Sequence, residues 1–281
     1  MAADETIQCV DSIVQNVAGE KKVIVIDNAS PNQSFAVLEK QYRDSDVVDV
    51  IKTDENLGFA KGNNVGYELA VKQYDPDFIV VMNNDMEIKQ TDFIAKINES
   101  YQKFHFDIMG PDVYSTKKQY HQNPQTRRIL SLKELKSRYQ KLVIKEKLLF
   151  LVRLKYHVKS IIKNNRASAE DSKKNIPFVN EPRENVLLHG SCYVFSRPFI
   201  EKNPKECFYP ETFMYMEAEI LYYLAQKNGD KIIYDPSMRV DHHEDVSTDA
   251  TFKSYQKSIF SIRCLKQSTK AFIDLMERTD N

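Results

Sequence analysis

The stretch Asp77 to Glu87, reading Asp-Phe-Ile-Val-Val-Met-Asn-Asn-Asp-Met-Glu, limits the possible folds of this chain more than any other. A continuous apolar run, Phe78 to Met82, stops abruptly at Asn83, Asn84 and Asp85. Unbroken apolar residues suit a strand covered on both faces. A polar cluster straight after such a strand suits the carboxyl edge of an open α/β sheet, where these folds bind ligands. Asp85 and Glu87 stand two apart, so on an extended backbone both carboxylates face one side and can hold one divalent ion together with a diphosphate. The same residues also make an ordinary turn after a strand, and the rest of the chain has to separate the two readings.

The pattern recurs. Val23 to Ile26 runs into Asp27-Asn28-Ala29-Ser30, and Val47 to Ile51 into Thr53-Asp54-Glu55-Asn56. Between these runs, helical spacing covers Glu5 to Val17, then Gly58 to Ala70 and Asp92 to Phe104, and a further strand is expected near Ile108 to Val113. Strands alternating with helices predict an α/β fold with a mostly parallel central sheet and helices on both faces. Further on, Val186 to Phe195 reads as a strand pair or bulged strand, with Gly190 where a ligand or backbone can approach closely. A helix over Phe213 to Gln226, strands over Lys231 to Tyr234 and Ser237 to His243, and a long helix over Thr251 to Met276 complete the order. We divide the chain into a first α/β half (1–125), a helical insertion with a linker (126–185), a second α/β half (186–250) and a C-terminal helix (251–281).

Forty basic and forty acidic side chains cancel overall, so only their distribution is informative. From Arg127 to Arg166 thirteen Lys or Arg face two Glu, a net charge of +11. Leu142, Val143, Leu148, Leu149, Leu151, Val152, Leu154, Val158, Ile161 and Ile162 are interleaved with these bases. This make-up predicts either a helix lying in an anionic membrane interface or a helical hairpin packed on the protein with a solvated basic face. Nucleic acid is not expected, because stacking aromatics are sparse there and no recognition module is visible. Residues 166–184, with Pro177 and Pro182, read as a mobile link. Four scattered cysteines without a CxxC pair fit a reducing cytoplasm, and no apolar run is long enough to span a bilayer, so any membrane contact is expected to be peripheral, on the inner face.

Asn56-Leu57-Gly58-Phe59-Ala60-Lys61-Gly62-Asn63-Asn64 is neither GxGxxG nor a Walker loop, which removes the main support for a dehydrogenase or an ATPase. The order Val25-Ile26-Asp27-Asn28-Ala29-Ser30, then Asn56 to Asn64, then Met82-Asn83-Asn84-Asp85 resembles family 2 glycosyltransferases of the GT-A fold, of the rhamnosyltransferase-like and capsule-assembly type. His189-Gly190-Ser191-Cys192 is similar to that family's acceptor-side strand. Phe213-Met214-Tyr215-Met216-Glu217 is similar to its Phe-x-Tyr-x-Glu segment, and Tyr234-Asp235-Pro236 with Val240 and His242 to its closing strands.

The resemblance implies transfer of a sugar from a nucleotide diphosphate, of the UDP- or dTDP-sugar kind, to a hydroxyl of a saccharide or polyprenol-linked acceptor, with inversion. It implies that Asp27, Asn28, Asp54, Asn56, Gly58, Asn63, Asn83, Asn84 and Gly190 border the nucleotide. Asp85 would ligate Mg2+ or Mn2+, with His242 as a further ligand or diphosphate contact, and Glu217 or Glu219 would take the acceptor proton. Two departures matter. Ala218 stands where the family has its acid, so either a neighbouring Glu acts as base or the chain is a catalytically impaired sugar-nucleotide-binding or scaffold protein. The family also opens with an apolar strand that Met1 to Asp4 cannot supply, so either the sequence begins past that strand or an edge of the nucleotide pocket is missing.

Overall fold

A computed structural model of the chain describes residues 3–149, 178–244 and 254–279. In chain order the elements are α1 (Ala3–Asn16), β1 (Val23–Asp27), α2 (Ser34–Tyr42), β2 (Val48–Lys52), α3 (Gly58–Tyr74), β3 (Phe78–Met82), β4 (Met86–Glu87) and α4 (Phe93–Phe104). Then come β5 (Ile108–Ser115), β6 (Tyr120–His121), α5 (Leu132–Lys147), β7 (Arg183–Glu184), β8 (Cys192–Ser196), α6 (Arg197–Lys202), α7 (Glu217–Asn228), β9 (Ile232–His242) and α8 (Ser254–Thr279). The α/β class follows the expected alternation. Helix α2, around the fully buried Leu38, is an element that the sequence reading leaves unassigned.

The main sheet has the order β3-β8-β5-β9-β4, with β6 on β5 and β7 on β9. Strands β3, β5 and β9 run one way, while β8 and β4 run against them. The sheet is therefore mixed rather than mostly parallel. An unbroken apolar strand such as β8, buried along its whole length, reports cover on both faces and says nothing of direction. One edge of this sheet collects the ends of β3, β5 and β9 and the entry to β8, because Met82 pairs with Cys192 and Ser115 with His242. That edge carries the polar loops.

Strands β1 and β2 pair in parallel, from Val23 with Val48 to Asp27 with Lys52, in a two-stranded sheet of their own. Among the described residues no ladder joins β1 to β3. Helices bridge the two sheets instead. In α1, Ile7 and Val10 pack with Val25 and Val48, whereas Cys9 and Ile13, with Val17 just past the helix end, pack with Phe78 and Met86. Helix α3 lies against both β1 and β3.

Other boundaries move for identifiable reasons. Strand β9 is one strand rather than two. Its register on β5 shifts between Pro111 and Asp112, opposite the Asp235 to Arg239 stretch containing Pro236, which has no N–H to donate, and the strand then resumes its direction. Only Cys192–Ser196 of the expected 186–195 strand lies in the ladder. Helix α7 starts at Glu217 rather than Phe213, because Tyr215 and Met216 take φ of 73° and 74°. The described end of the expected link is packed: Phe178 stacks on His121 at 4.6 Å, Tyr234 donates to the Val179 carbonyl at 2.9 Å, and β7 pairs with β9.

The insertion begins with a capping box, Ser131 to Glu134, and α5 then packs its Leu135 against Phe272 and Met276 of α8 and Ile220 of α7. The apolar stripe of α5 is thus occupied by protein, as in the hairpin reading, and its outer face shows lysines with Ile144 57% and Leu148 41% exposed. The bases and aliphatics from Leu151 to Ile162 lie outside the described residues. Among the described residues no helix is long and apolar enough to cross a membrane.

The Asn56 to Asn64 motif has a structural function visible in its bonds. Asn64, 7% exposed, accepts from the backbone N–H groups of Cys207 and Phe208 at 3.1 and 3.0 Å and donates to the Phe208 carbonyl at 2.7 Å. Its neighbour Asn63 bonds only within its own helix, to the Phe59 carbonyl. Asn64→Leu would leave three buried backbone groups without partners, and we expect it to cost about 2–4 kcal/mol in urea unfolding. Asn63→Leu is expected to change stability by less than about 1 kcal/mol.

Candidate active site

Asn28 organises the nucleotide-side loops. Its Nδ2 donates to the Gly58 carbonyl at 2.8 Å, and its Oδ1 accepts from Leu57 N at 2.9 Å. The Oδ1 of Asn56 in turn accepts from Gly58 N at 3.0 Å. Gly58 has φ +78°, and a Cβ there would lie 2.3 Å from the Phe213 carbonyl oxygen, which accepts from Phe59 N at 2.6 Å. Only glycine fits that approach. The loop after β2 is thereby seated on the segment leading to Glu217. Asp27 lies beneath, fully buried, accepting from Ser30 N and Ser34 Oγ at 2.8 and 2.7 Å. Asp54 and Asn56 are exposed.

Across the edge, β4 pairs with β9 so that Met86 faces His242, and His243 N donates to the Asp85 carbonyl. Asn83 N donates to the Ser191 carbonyl, and Asn84 Nδ2 to Thr6 Oγ1 of α1. Asp85 is 8% exposed, and among the described residues its Oδ1 has no hydrogen-bond donor, yet His242 Nε2 stands 3.3 Å away. The donor and acceptor count around the ring is informative. Gln122 Nε2 donates to the Glu244 carboxylate at 2.6 Å, so Gln122 Oε1, 2.7 Å from His242 Nδ1, accepts a proton held on Nδ1. The Nε2 lone pair of the neutral ring then faces a carboxylate oxygen. Two acceptors at that distance need a positive charge between them, either a second ring proton or a metal cation. A buried carboxylate oxygen without a donor, next to an imidazole nitrogen, is chemically suited to hold such a cation. Among the described residues no set of three His, Cys, Asp or Glu forms a cation cage.

His189 lies beside this pair, its ring centroid 5.7 Å from that of His242 and its Nδ1 2.8 Å from Ser191 Oγ. Burial, then the charge of His242 and that of Arg127, lowers its pKa to about 4. At Gly190 a side chain would meet nothing within 4 Å, so open space borders the loop there.

The carboxylates of α7 complete the site. Glu219 accepts an ion pair from Arg127 at 3.0 Å. Glu217 is 9% exposed, and its Oε1 has no hydrogen-bond partner. Burial pushes its pKa up to about 7; the charge of Glu219 adds to the rise, while hydrogen bonds from Thr212 and from the backbone of Glu217 and Tyr215 oppose it. Tyr215 and Met216 hold the turn before it in the left-handed region, a strained conformation for side-chain-bearing residues. Helix α8 clamps that turn: Tyr215 Oη lies 3.0 Å from Ser261 Oγ, and Ser268 Oγ donates to the Met214 carbonyl at 2.8 Å.

The chain that carries the buried Glu217, the Asp85 and His242 pair and the amide-rich loops after β1 and β2 is recognisable by its family. The family model for glycosyl transferase family 2 matches residues 2–159. The chain belongs to that family. Over 104 residues it is 23% identical to the low-salt glycan biosynthesis hexosyltransferase Agl10 of Haloferax volcanii, covering 37% of this chain and 32% of Agl10. GalNAc-T7, solved with UDP, GalNAc and Mn2+, superposes with a TM-score of 0.51 at 12% identity, over 86% of this chain and 41% of that one. TarS of S. aureus gives the same TM-score at 14% identity, over 86% of this chain and 34% of TarS. The chain thus spans about a third of Agl10 and less than half of these structures. At these identities the superpositions establish the GT-A fold.

Gln122 and Ser261 are missing from the sequence reading, Arg127 enters it only as part of the basic run, and Tyr215 only as part of the Phe-x-Tyr-x-Glu segment. Each reaches the site through a contact remote in sequence, and no local pattern marks that contact. The raised acid carries a stability signature. Its folded pKa lies above the ordinary carboxylate value of 4.5, so the folded state binds the extra proton and stability falls as pH rises through that window. Relative to Glu217→Gln, the wild type is expected to lose about 2–3 kcal/mol between pH 5 and 8.5 in denaturant titrations.

Proposed function

We propose that this chain transfers a sugar, with inversion, from a nucleotide diphosphate donor to a hydroxyl of a saccharide or lipid-linked saccharide during surface glycan assembly. The observation that carries this reading is the pairing of a buried Asp85 oxygen, lacking a donor among the described residues, with the Nε2 of His242, in a chain that also holds a buried acid raised to near pH 7 at Glu217. On this reading Asn28, Asp54, Asn56, Gly58, Asn63, Asn83, Asn84 and Gly190 border the donor, and Asp27 shapes their loop from beneath. Asp85 and His242 would hold Mg2+ or Mn2+, which when bound neutralises charge developing on the departing nucleoside diphosphate. With two protein ligands, the remaining positions suit phosphate oxygens and water.

Glu217 takes the proton of the acceptor hydroxyl as its oxygen forms a bond to the anomeric carbon. The bond from that carbon to the diphosphate oxygen breaks with its electron pair staying on the phosphate. Attack from the face opposite the diphosphate inverts the centre. A pKa near 7 leaves Glu217 about half deprotonated at neutral pH, matched to a general base. Arg127, held by Glu219, keeps a positive charge at the mouth of the site, and Glu219 is thereby the less available of the two acids. The basic outer face of α5, with Ile144 and Leu148 exposed among Lys141, Lys145 and Lys147, supports a peripheral anionic-membrane contact that would bring the site to a polyprenol-linked acceptor.

Nucleoside diphosphate release from a panel of UDP- and dTDP-sugars tests the assignment. Mn2+-dependent release is expected, abolished by Asp85→Ala and lowered about 10²–10⁴-fold in kcat by Glu217→Gln with little change in donor KM. Tight donor binding without release would instead support the impaired, binding-only reading that Ala218 suggests. In flotation on anionic vesicles, reversing Lys141, Lys145 and Lys147 to Glu is expected to move the protein into the soluble fraction. Equal recovery of both forms would remove the membrane contact from the proposal.

A further inference from the structure

Gln122 comes from the loop after β6 and is 5% exposed. Its backbone is tied down at both ends: its N–H donates to the Val113 carbonyl at 2.7 Å, and its carbonyl accepts from Gln125 Nε2 at 2.8 Å. Its side-chain amide has a fixed sense, because the Glu244 carboxylate 2.6 Å from Nε2 can only accept. Glu244 is itself held by Lys118 at 2.6 Å. The donors therefore run from His242 Nδ1 through the Gln122 amide to Glu244, which also accepts from Lys118. An amide that has to offer its oxygen to Nδ1 selects the ring tautomer whose Nε2 is free of a proton. That nitrogen points at Asp85 Oδ1.

We propose that Gln122 is a positioning residue for the cation site: by holding the proton on His242 Nδ1 it fixes the ring's orientation and presents the Nε2 lone pair as a ligand beside Asp85. The inference rests on the metal reading above and adds to it a residue 120 positions away in the chain. Glu244 sets the sense of the amide, and Lys118 sets the charge of Glu244. Outer partners of this kind commonly set the affinity of the ligands they orient.

The test uses the full chain and two readouts. Side-chain 15N spectra of the metal-free protein, at about pH 8 where an ordinary imidazole is neutral, report the His242 tautomer. Mn2+ titration followed by electron paramagnetic resonance reports affinity. Gln122→Met, which fills the space but cannot accept, is expected to mix or reverse the tautomer and weaken Mn2+ binding about 10- to 100-fold. The double exchange Gln122→Glu with Glu244→Gln keeps an oxygen facing Nδ1 and reverses only the donor and acceptor of the neighbouring bond. It is expected to restore the tautomer and most of the affinity, which a merely structural role for Gln122 would not produce. Thermal unfolding verifies that both variants fold. A folded Gln122→Met protein with unchanged tautomer and Mn2+ affinity overturns the proposal, as does a double exchange no better than Gln122→Met alone. A wild type that binds no Mn2+ overturns the ligand role together with the reading beneath it, whereas Mn2+ binding indifferent to Gln122 overturns this inference only.

Discussion

Two hydrogen-bond acceptors held 3.3 Å apart, Asp85 Oδ1 and His242 Nε2, form an arrangement that a chain relaxing freely would avoid. The strand pairing imposes it. Strand β9 is parallel to β5 on one side and antiparallel to the two-residue β4 on the other, so its last residue is set opposite both Ser115 and Met86. His242 has little freedom to withdraw, because Gln122 closes on its other nitrogen. The remaining polar groups of that edge are arranged around this pair, and the burial of both side chains strengthens whatever charge lies between them.

The acid side is built on a different principle. Glu217 gains its character from dehydration, at a helix start reached through two left-handed residues. The left-handed turn is held from outside by α8 and from inside by the Phe213 carbonyl pressed on Gly58. The loop after β2 and the turn before α7 are consequently one packed unit, although Phe213 follows Gly58 by 155 positions. A change in one loop is transmitted to the other by direct contact.

Local order was legible where burial and periodicity act within a few residues: β3 and the Asn83 to Asp85 cluster after it stand where the apolar run placed them. Family resemblance named Asp85, His242 and Glu217 because their motifs come in a characteristic order. Strand direction was not legible, since Cys192 to Ser196 is equally apolar whichever way it runs. The start of α7 was misread because Tyr215 and Met216 have good helical spacing and are held out of the helix only by tertiary contacts. Asn64 sits in a motif that suggests ligand binding, yet its amide is consumed in pinning Cys207 and Phe208. The Ser131 to Glu134 capping box, by contrast, was a local signal available in the sequence, obscured by reading residues 127–166 as one basic block.

The absence of a ladder between β1 and β3 among the described residues has a mechanical meaning. Within a continuous sheet, shearing one strand past the next breaks a row of directional bonds at once. Between these two sheets the resistance comes from side chains of α1 and α3, which slide more gradually than hydrogen bonds break. The β1–β2 pair, which carries Asp27, Asn28 and the Asn56 loop, is therefore coupled to the rest of the fold through α1, α3 and the Gly58–Phe213 contact rather than through a ladder, while strand pairing alone keeps Asp85 and His242 in register.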